Sequence, residues 1–115
     1  TENHWGPSQI PANVVKLIET IDGLGLLFDT HNWQPELQQE GWERCAKHAA
    51  ATHVKTFSFD ERGNEESVDL SEAFRLLKES NFAGCWGVES VPKDGDEIAG
   101  ARQTIALIRR EVASG

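Results

Sequence analysis

The chain lacks a long apolar run, is poor in positive charge and has only two cysteines. A bilayer-crossing helix needs about 20 consecutive apolar residues. The longest apolar stretch here, Leu24 to Phe28, has the length of a short buried strand, so no membrane partner is expected. No signal-peptide pattern is read at the first residues. Eleven Lys and Arg face 19 Asp and Glu, for a net charge of −8 and a pI near 4.9. Such a chain repels phosphate backbones, which argues against a general nucleic-acid partner. A local metal acting on a phosphate ester stays open. Cys45 falls in a helix-like segment and Cys85 in a strand-like one. Both read as buried free thiols, which fits a reducing, cytoplasmic setting. Low-complexity segments and internal linkers are absent.

What is present is an alternation. At 115 residues the chain is one domain or part of a larger one. Thr1 to His4 resembles the tail of a strand, followed by the loop Trp5-Gly6-Pro7-Ser8. Pro11 to Ile21 has the helical stripe Val14, Leu17, Ile18 and Ile21, with Pro11 suited to the first turn. Leu24 to Asp29 is a strand apolar on both faces, as parallel strands are. Pro35 opens a helix expected to reach about Ala50, with Leu37, Trp42, Cys45, Ala46 and Ala49 inward. Thr52 to Phe57 is the next strand, and Ser58 to Ser67 a polar loop turning at Gly63-Asn64. Asp69 or Ser71 caps a helix through Glu79, lined by Ala73, Phe74, Leu76 and Leu77. Cys85 to Glu89 is the last strand. Asp96 to Val112 is the last helix, with an expected inner stripe of Ile98, Ala101, Ile105, Ile108 and Val112. Arg102, Arg109 and Arg110 read as a solvated face. The fold class is therefore α/β with parallel strands and right-handed crossovers.

Four metal-binding residue types stand at the ends of the strand-like runs: Glu2 in TENHW, Asp29 in GLLFDTHN, His53 in THVKTF and Glu89 in WGVES. Strand ends of one polarity lie on one face of a parallel sheet. Three carboxylates and an imidazole gathered there suit a divalent cation: Mn, Mg or Co, with Zn also possible. Each residue has a plainer reading. Glu2 could be solvated at a terminus, Asp29 could cap a loop, His53 could be a core histidine, and Glu89 could face water. His31 and His48 read as surface residues. Lys16 with Glu19, and Glu43 with Lys47, read as helix-surface ion pairs.

The segments ENHWG, LLFDTHN, THVKTF and VDLSEAFRLLKESNFAGCWGVES, in this order, resemble the second half of the xylose isomerase-like (β/α)8 barrels. That family includes sugar-phosphate isomerases and epimerases and inosose dehydratases. The resemblance runs from Thr1 to about Arg110. It implies a partial (β/α)8 TIM barrel, holding strands five to eight and their helices, with residues 1–115 as the C-terminal half of the barrel domain. It implies that Glu2, Asp29, His53 and Glu89 bind the metal. It further implies that Glu2 and Glu89 serve as a catalytic acid/base pair, moving a proton through a metal-stabilised enediolate. His4, Asn32 and Lys55 match substrate-binding positions, and Trp5 and Trp33 could wall a sugar ring.

The implied partner is a small-molecule sugar or sugar phosphate, and the implied activity an isomerase or epimerase, with the half-barrel alone expected to be inactive. Two rival readings accompany it. An inert half-barrel could self-associate, two copies pairing as a homo-oligomer to close the sheet. An endonuclease IV-like phosphodiesterase fits less well, because Asn32 stands where such enzymes carry a histidine and Phe59-Asp60-Glu61-Arg62-Gly63 lacks a D-R-H.

Overall fold

The computed structural model describes residues 1–114. Three strands, β1 (Leu26–Asp29), β2 (Ala49–Thr56) and β3 (Cys85–Ser90), form one parallel sheet in the order β1-β2-β3. Four α-helices accompany them: α1 (Pro11–Thr20), α2 (Gln38–Cys45), α3 (Leu70–Glu79) and α4 (Glu97–Ala113). The α/β class and parallel polarity expected from the alternation are what is found. Among the described residues no helix is long and apolar enough to cross a membrane.

Local chemistry accounts for most element ends. Pro11 opens α1, where a missing N–H costs nothing. Asp69 caps α3 by accepting from the Ser71 amide, so of the two candidate caps it is the aspartate that acts. Asp96 caps α4 in the same way through Ala99. The expected long helix from Pro35 to Ala50 is instead broken into three pieces. Short 3-10 turns at Pro35–Leu37 and Ala46–His48 flank α2, and β2 begins at Ala49 rather than Thr52. Ala49 and Ala51 are drawn into the sheet by Leu26 and Leu27, across a register shift. Thr1 to His4 makes no full strand; it contributes one parallel bridge, Glu2 to Leu27.

The side chains of Leu26, Phe28, Thr52, Val54 and Thr56 point to the helices and are buried. One core cluster joins Phe28 and Leu26 to Val14, Trp33, Trp42, Cys45 and Leu77. A second joins Val54 to Leu70, Phe74, Leu107 and Ile108, with Trp86 stacked on Phe74 at 5.0 Å. Successive parallel neighbours joined by right-handed crossovers put their helices on one side. The other side carries Leu27, Asp29, Ala51, His53, Lys55, Cys85, Gly87 and Glu89. Its lower half is partly open: Leu27 and Ala51 are half-buried and Cys85 is exposed. The second expected buried thiol is therefore on an open sheet face. Cys45 is buried, and burial pushes its thiol up to about 11.

The inner face of α4 matches the expected stripe at Ile108 but not at Ile98, Ile105 or Val112. Ile98 is 69% exposed, and Ile105 and Val112 are exposed as well. The helix meets the sheet through Gly100, Thr104, Leu107 and Ile108. Gly100 allows this, since a Cβ there would lie 2.4 Å from Ser90 Oγ. Thr104 and Thr56 join hydroxyls at 2.7 Å. Arg110 is not merely solvated: it donates to the Arg62 carbonyl and ties α4 to the loop after β2. Among the described residues, the helix-surface ion pairs are Glu40 with Arg44, Arg75 with Glu72 and Glu79, and Arg110 with Glu111, and the two expected pairs are not formed.

Gly87 is a tight point within β3. A Cβ there would stand 2.4 Å from the Thr52 carbonyl oxygen, a backbone atom with no freedom to retreat. Gly87→Ala is expected to part β2 from β3 and cost about 2–3 kcal/mol. A lower thermal midpoint, with faster amide exchange at Thr52 and Val54, is the outcome to look for.

Candidate metal centre

The four strand-end residues come together. His53 Nδ1 lies 2.8 Å from Glu2 Oε2, 3.4 Å from Glu89 Oε2 and 3.9 Å from Asp29 Oδ2. Ligand atoms of Glu2, Asp29 and His53 lie within 4.8 Å of one another. Register explains this: Asp29 is paired with His53 across β1 and β2, and Lys55 with Glu89 across β2 and β3. Gly87, opposite His53, has no side chain to separate the groups.

Asp29 has two jobs, one per oxygen. Oδ1 accepts from the amides of His31 and Asn32 and closes the turn after β1. Oδ2 is buried and has no hydrogen-bond partner. The loop-capping reading was thus correct for half of the carboxylate. His53 Nδ1 and Glu89 Oε2 are likewise buried without a partner. Buried polar atoms are almost always satisfied. Three such atoms converge beside the Lys55 ammonium, with Glu2 Oε2 2.8 Å from His53 Nδ1, a set that a shared proton or a cation would complete.

The electrostatics agree. Burial, then the hydrogen bond with Glu89, pushes Asp29 up to about 7. Burial also works against charge on Glu89, but the bond with Asp29 and the charges of Lys55 and His53 outweigh it and hold Glu89 below its ordinary value. A proton held between the pair therefore rests on Asp29.

Lys55 and Asn32 sit beside this cluster. Lys55 Nζ donates to Asn32 Oδ1 at 2.6 Å and lies 3.4 Å from Asp29 Oδ2 and 3.3 Å from Glu89 Oε2. His4 is more remote and partly exposed: its Nε2 is 3.8 Å from Glu2 Oε1, and its ring packs on Trp5. The tryptophans do not wall the site. Trp5 is 81% exposed, and Trp33 is buried in the core against Phe28.

Several supporting residues escaped the sequence reading. Asn3 is fully buried, and its carboxamide grips the Asp29 backbone from both sides, donating to the carbonyl and accepting from the amide. It extends the Glu2 bridge where the main-chain ladder stops. The Thr30 hydroxyl accepts from the Lys55 amide, and the Thr30 carbonyl accepts from Trp42 Nε1 and Gln38 Nε2. His31 is not a surface residue. Its side chain is 9% exposed and meets Thr30, Ser67 and Glu65, with burial lowering its basicity. The available signal for Asn3 was its place between two candidate site residues, Glu2 and His4. For His31 there was none, since Glu65 and Ser67 are more than thirty positions away.

Compared with family models and with curated proteins, the chain matches none of them.

Proposed function

We propose that this chain is part of a divalent-metal-dependent isomerase or epimerase acting on a sugar or sugar phosphate, its centre formed by Glu2, Asp29, His53 and Glu89. The observation that carries the reading is the convergence of Asp29 Oδ2, His53 Nδ1 and Glu89 Oε2, all buried and without a well-aligned hydrogen bond, with Glu2 Oε2 2.8 Å from His53 Nδ1 closing the group. Mixed oxygen and nitrogen donors suit Mn, Mg or Co, and tolerate Zn. A cation held there supplies electrophilic stabilisation of the enediolate formed when a proton leaves carbon beside a carbonyl.

The chain's own groups supply the rest. Glu2 comes from the β1 side of the sheet and Glu89 from β3, with His53 between them. Two carboxylates so placed can take a proton from one face of a substrate and return it to another. Lys55, steadied by Asn32, presents an ammonium to a substrate oxygen or phosphate. His4 reaches the same mouth from the loop after Glu2.

The sheet supports a partial (β/α)8 barrel with the resemblance described above. Strands in sequential order, with helices on one side only, are what such a barrel contains. Parallel sheets are ordinarily covered on both faces. Under this reading the half-open face is barrel interior, and the exposed Leu17 of α1, Ile21 just after it, and Ile98, Ile105 and Val112 of α4 are helix-to-helix contacts of the closed barrel. The isolated chain then lacks much of its substrate pocket and is inactive by itself. Two copies can satisfy both edges, since each offers four strand positions and eight close a barrel. Sedimentation velocity is expected to show a dimer at micromolar concentration; a stable monomer counts against pairing.

Calorimetric titration with Mn²⁺ tests the centre. Wild type is expected to bind, with Glu89→Gln weakening the affinity about tenfold or more. Absence of heat in both proteins would leave an inert scaffold as the better account.

A further inference from the structure

We propose that Lys55 is a built-in counter-cation, which restricts the Glu2–Asp29–His53–Glu89 centre to a single divalent ion and weakens that ion's binding. The inference rests on the metal-centre reading and adds a constraint to it. Lys55 Nζ lies 3.4 Å from Asp29 Oδ2 and 3.3 Å from Glu89 Oε2, ion-pair contacts in which neither oxygen receives a well-aligned hydrogen bond. The ammonium donates instead to Asn32 Oδ1. It is therefore held next to the open lone pairs without filling them. Its freedom to withdraw is small: the side chain is only 10% exposed, and the backbone amide is pinned by the Thr30 hydroxyl.

Charge then decides stoichiometry. Ligation of a cation requires all three carboxylates ionised and the imidazole as a lone-pair donor; with one ammonium, that set carries a deficit of two, which one divalent ion cancels. A second divalent ion would leave a surplus of two positive charges beside the buried Asp29 and Lys55, where charge is poorly tolerated. Even the first ion must bind a few ångströms from a like charge, so the lysine lowers the affinity.

The test is Mn²⁺ calorimetry at one pH on the folded chain, comparing wild type with Lys55→Gln, Lys55→Met and Lys55→Arg. Wild type is expected to bind one ion. The two neutral variants are expected to bind about tenfold more tightly or better, and Lys55→Arg to stay within about threefold of wild type. Neutral variants that bind no more tightly than a wild type that does bind would overturn the proposal and leave the metal centre standing. Binding by the neutral variants alone would support it in its strongest form. Silence in all four proteins would overturn the proposal together with the metal centre. If the neutral variants do not fold, the wild type still decides: on titration with diamagnetic Zn²⁺, the Lys55 Nζ resonance is expected to shift, and an unmoved resonance would overturn the proposal.

Discussion

Asp29→Asn is expected to reduce divalent-cation affinity at least a hundredfold while the chain stays folded. The substitution separates the two tasks of one side chain. An asparagine Oδ1 still accepts from the His31 and Asn32 amides, so the turn after β1 keeps its closure. The orphaned Oδ2 is replaced by an NH₂ group, which cannot coordinate a cation and brings hydrogens toward His53 and Lys55. Calorimetry measures the affinity, and circular dichroism checks the fold.

The same variant exposes a pH effect. Asp29 in the folded chain titrates at about 7, against 3.8 for the free group, chiefly because it is buried. The folded state therefore holds a proton that the unfolded chain releases between those values. Stability from this group is full below about pH 4, declines as pH rises toward 7, and is level above that. At ~1.36 kcal/mol per pH unit, the loss has a ceiling of about 4 kcal/mol. Wild type minus Asp29→Asn, measured by urea unfolding in chelator from pH 4 to pH 8, isolates the slope from the other carboxylates. A saturating cation should flatten it, because ligation keeps Asp29 ionised. Parallel curves for the two proteins would remove Asp29 from the account.

Trp42→Ala is expected to cost about 3–5 kcal/mol, a large part of the ~5–15 kcal/mol that holds a domain of this size. Trp42 is almost fully buried in the cluster with Phe28, Trp33 and Cys45. Its Nε1 also donates to the Thr30 carbonyl at 3.0 Å. Truncation opens a cavity and loosens the turn that carries Asp29. Trp42→Phe should cost only about 1–2 kcal/mol, since Gln38 Nε2 continues to satisfy the same carbonyl at 2.9 Å. The midpoint and slope of urea unfolding measure both. A loss below 1 kcal/mol for the alanine variant would mean that the core closes around the gap.

The relation between core and centre is physical. Phe28 faces the helices and Asp29 the opposite side, because successive strand residues alternate. The packing that buries Phe28 therefore aims Asp29. The same holds for Val54 between His53 and Lys55, whereas Val88, before Glu89, is 38% exposed. Substitutions in the core should accordingly disturb the centre through strand position, while substitutions at the centre should leave the core intact.

Alternation, strand polarity and the chemical types at the strand ends were determined by the sequence itself. They depend on periods of 2 and 3.6 residues, on prolines and aspartates at helix starts, and on acidic or imidazole groups after short apolar runs, all of which are local. Tertiary structure alone decided the inner face of α4, because that helix carries two apolar stripes and periodicity does not rank them. Gly100 and Thr104 face the sheet, the first set so close to Ser90 that a Cβ would clash and the second sharing a hydroxyl hydrogen bond with Thr56. The same was true of Asn3 clasping Asp29, His31 reaching Glu65, and Trp33 entering the core. Each of these depends on which distant segments share a neighbourhood, and no local period encodes that.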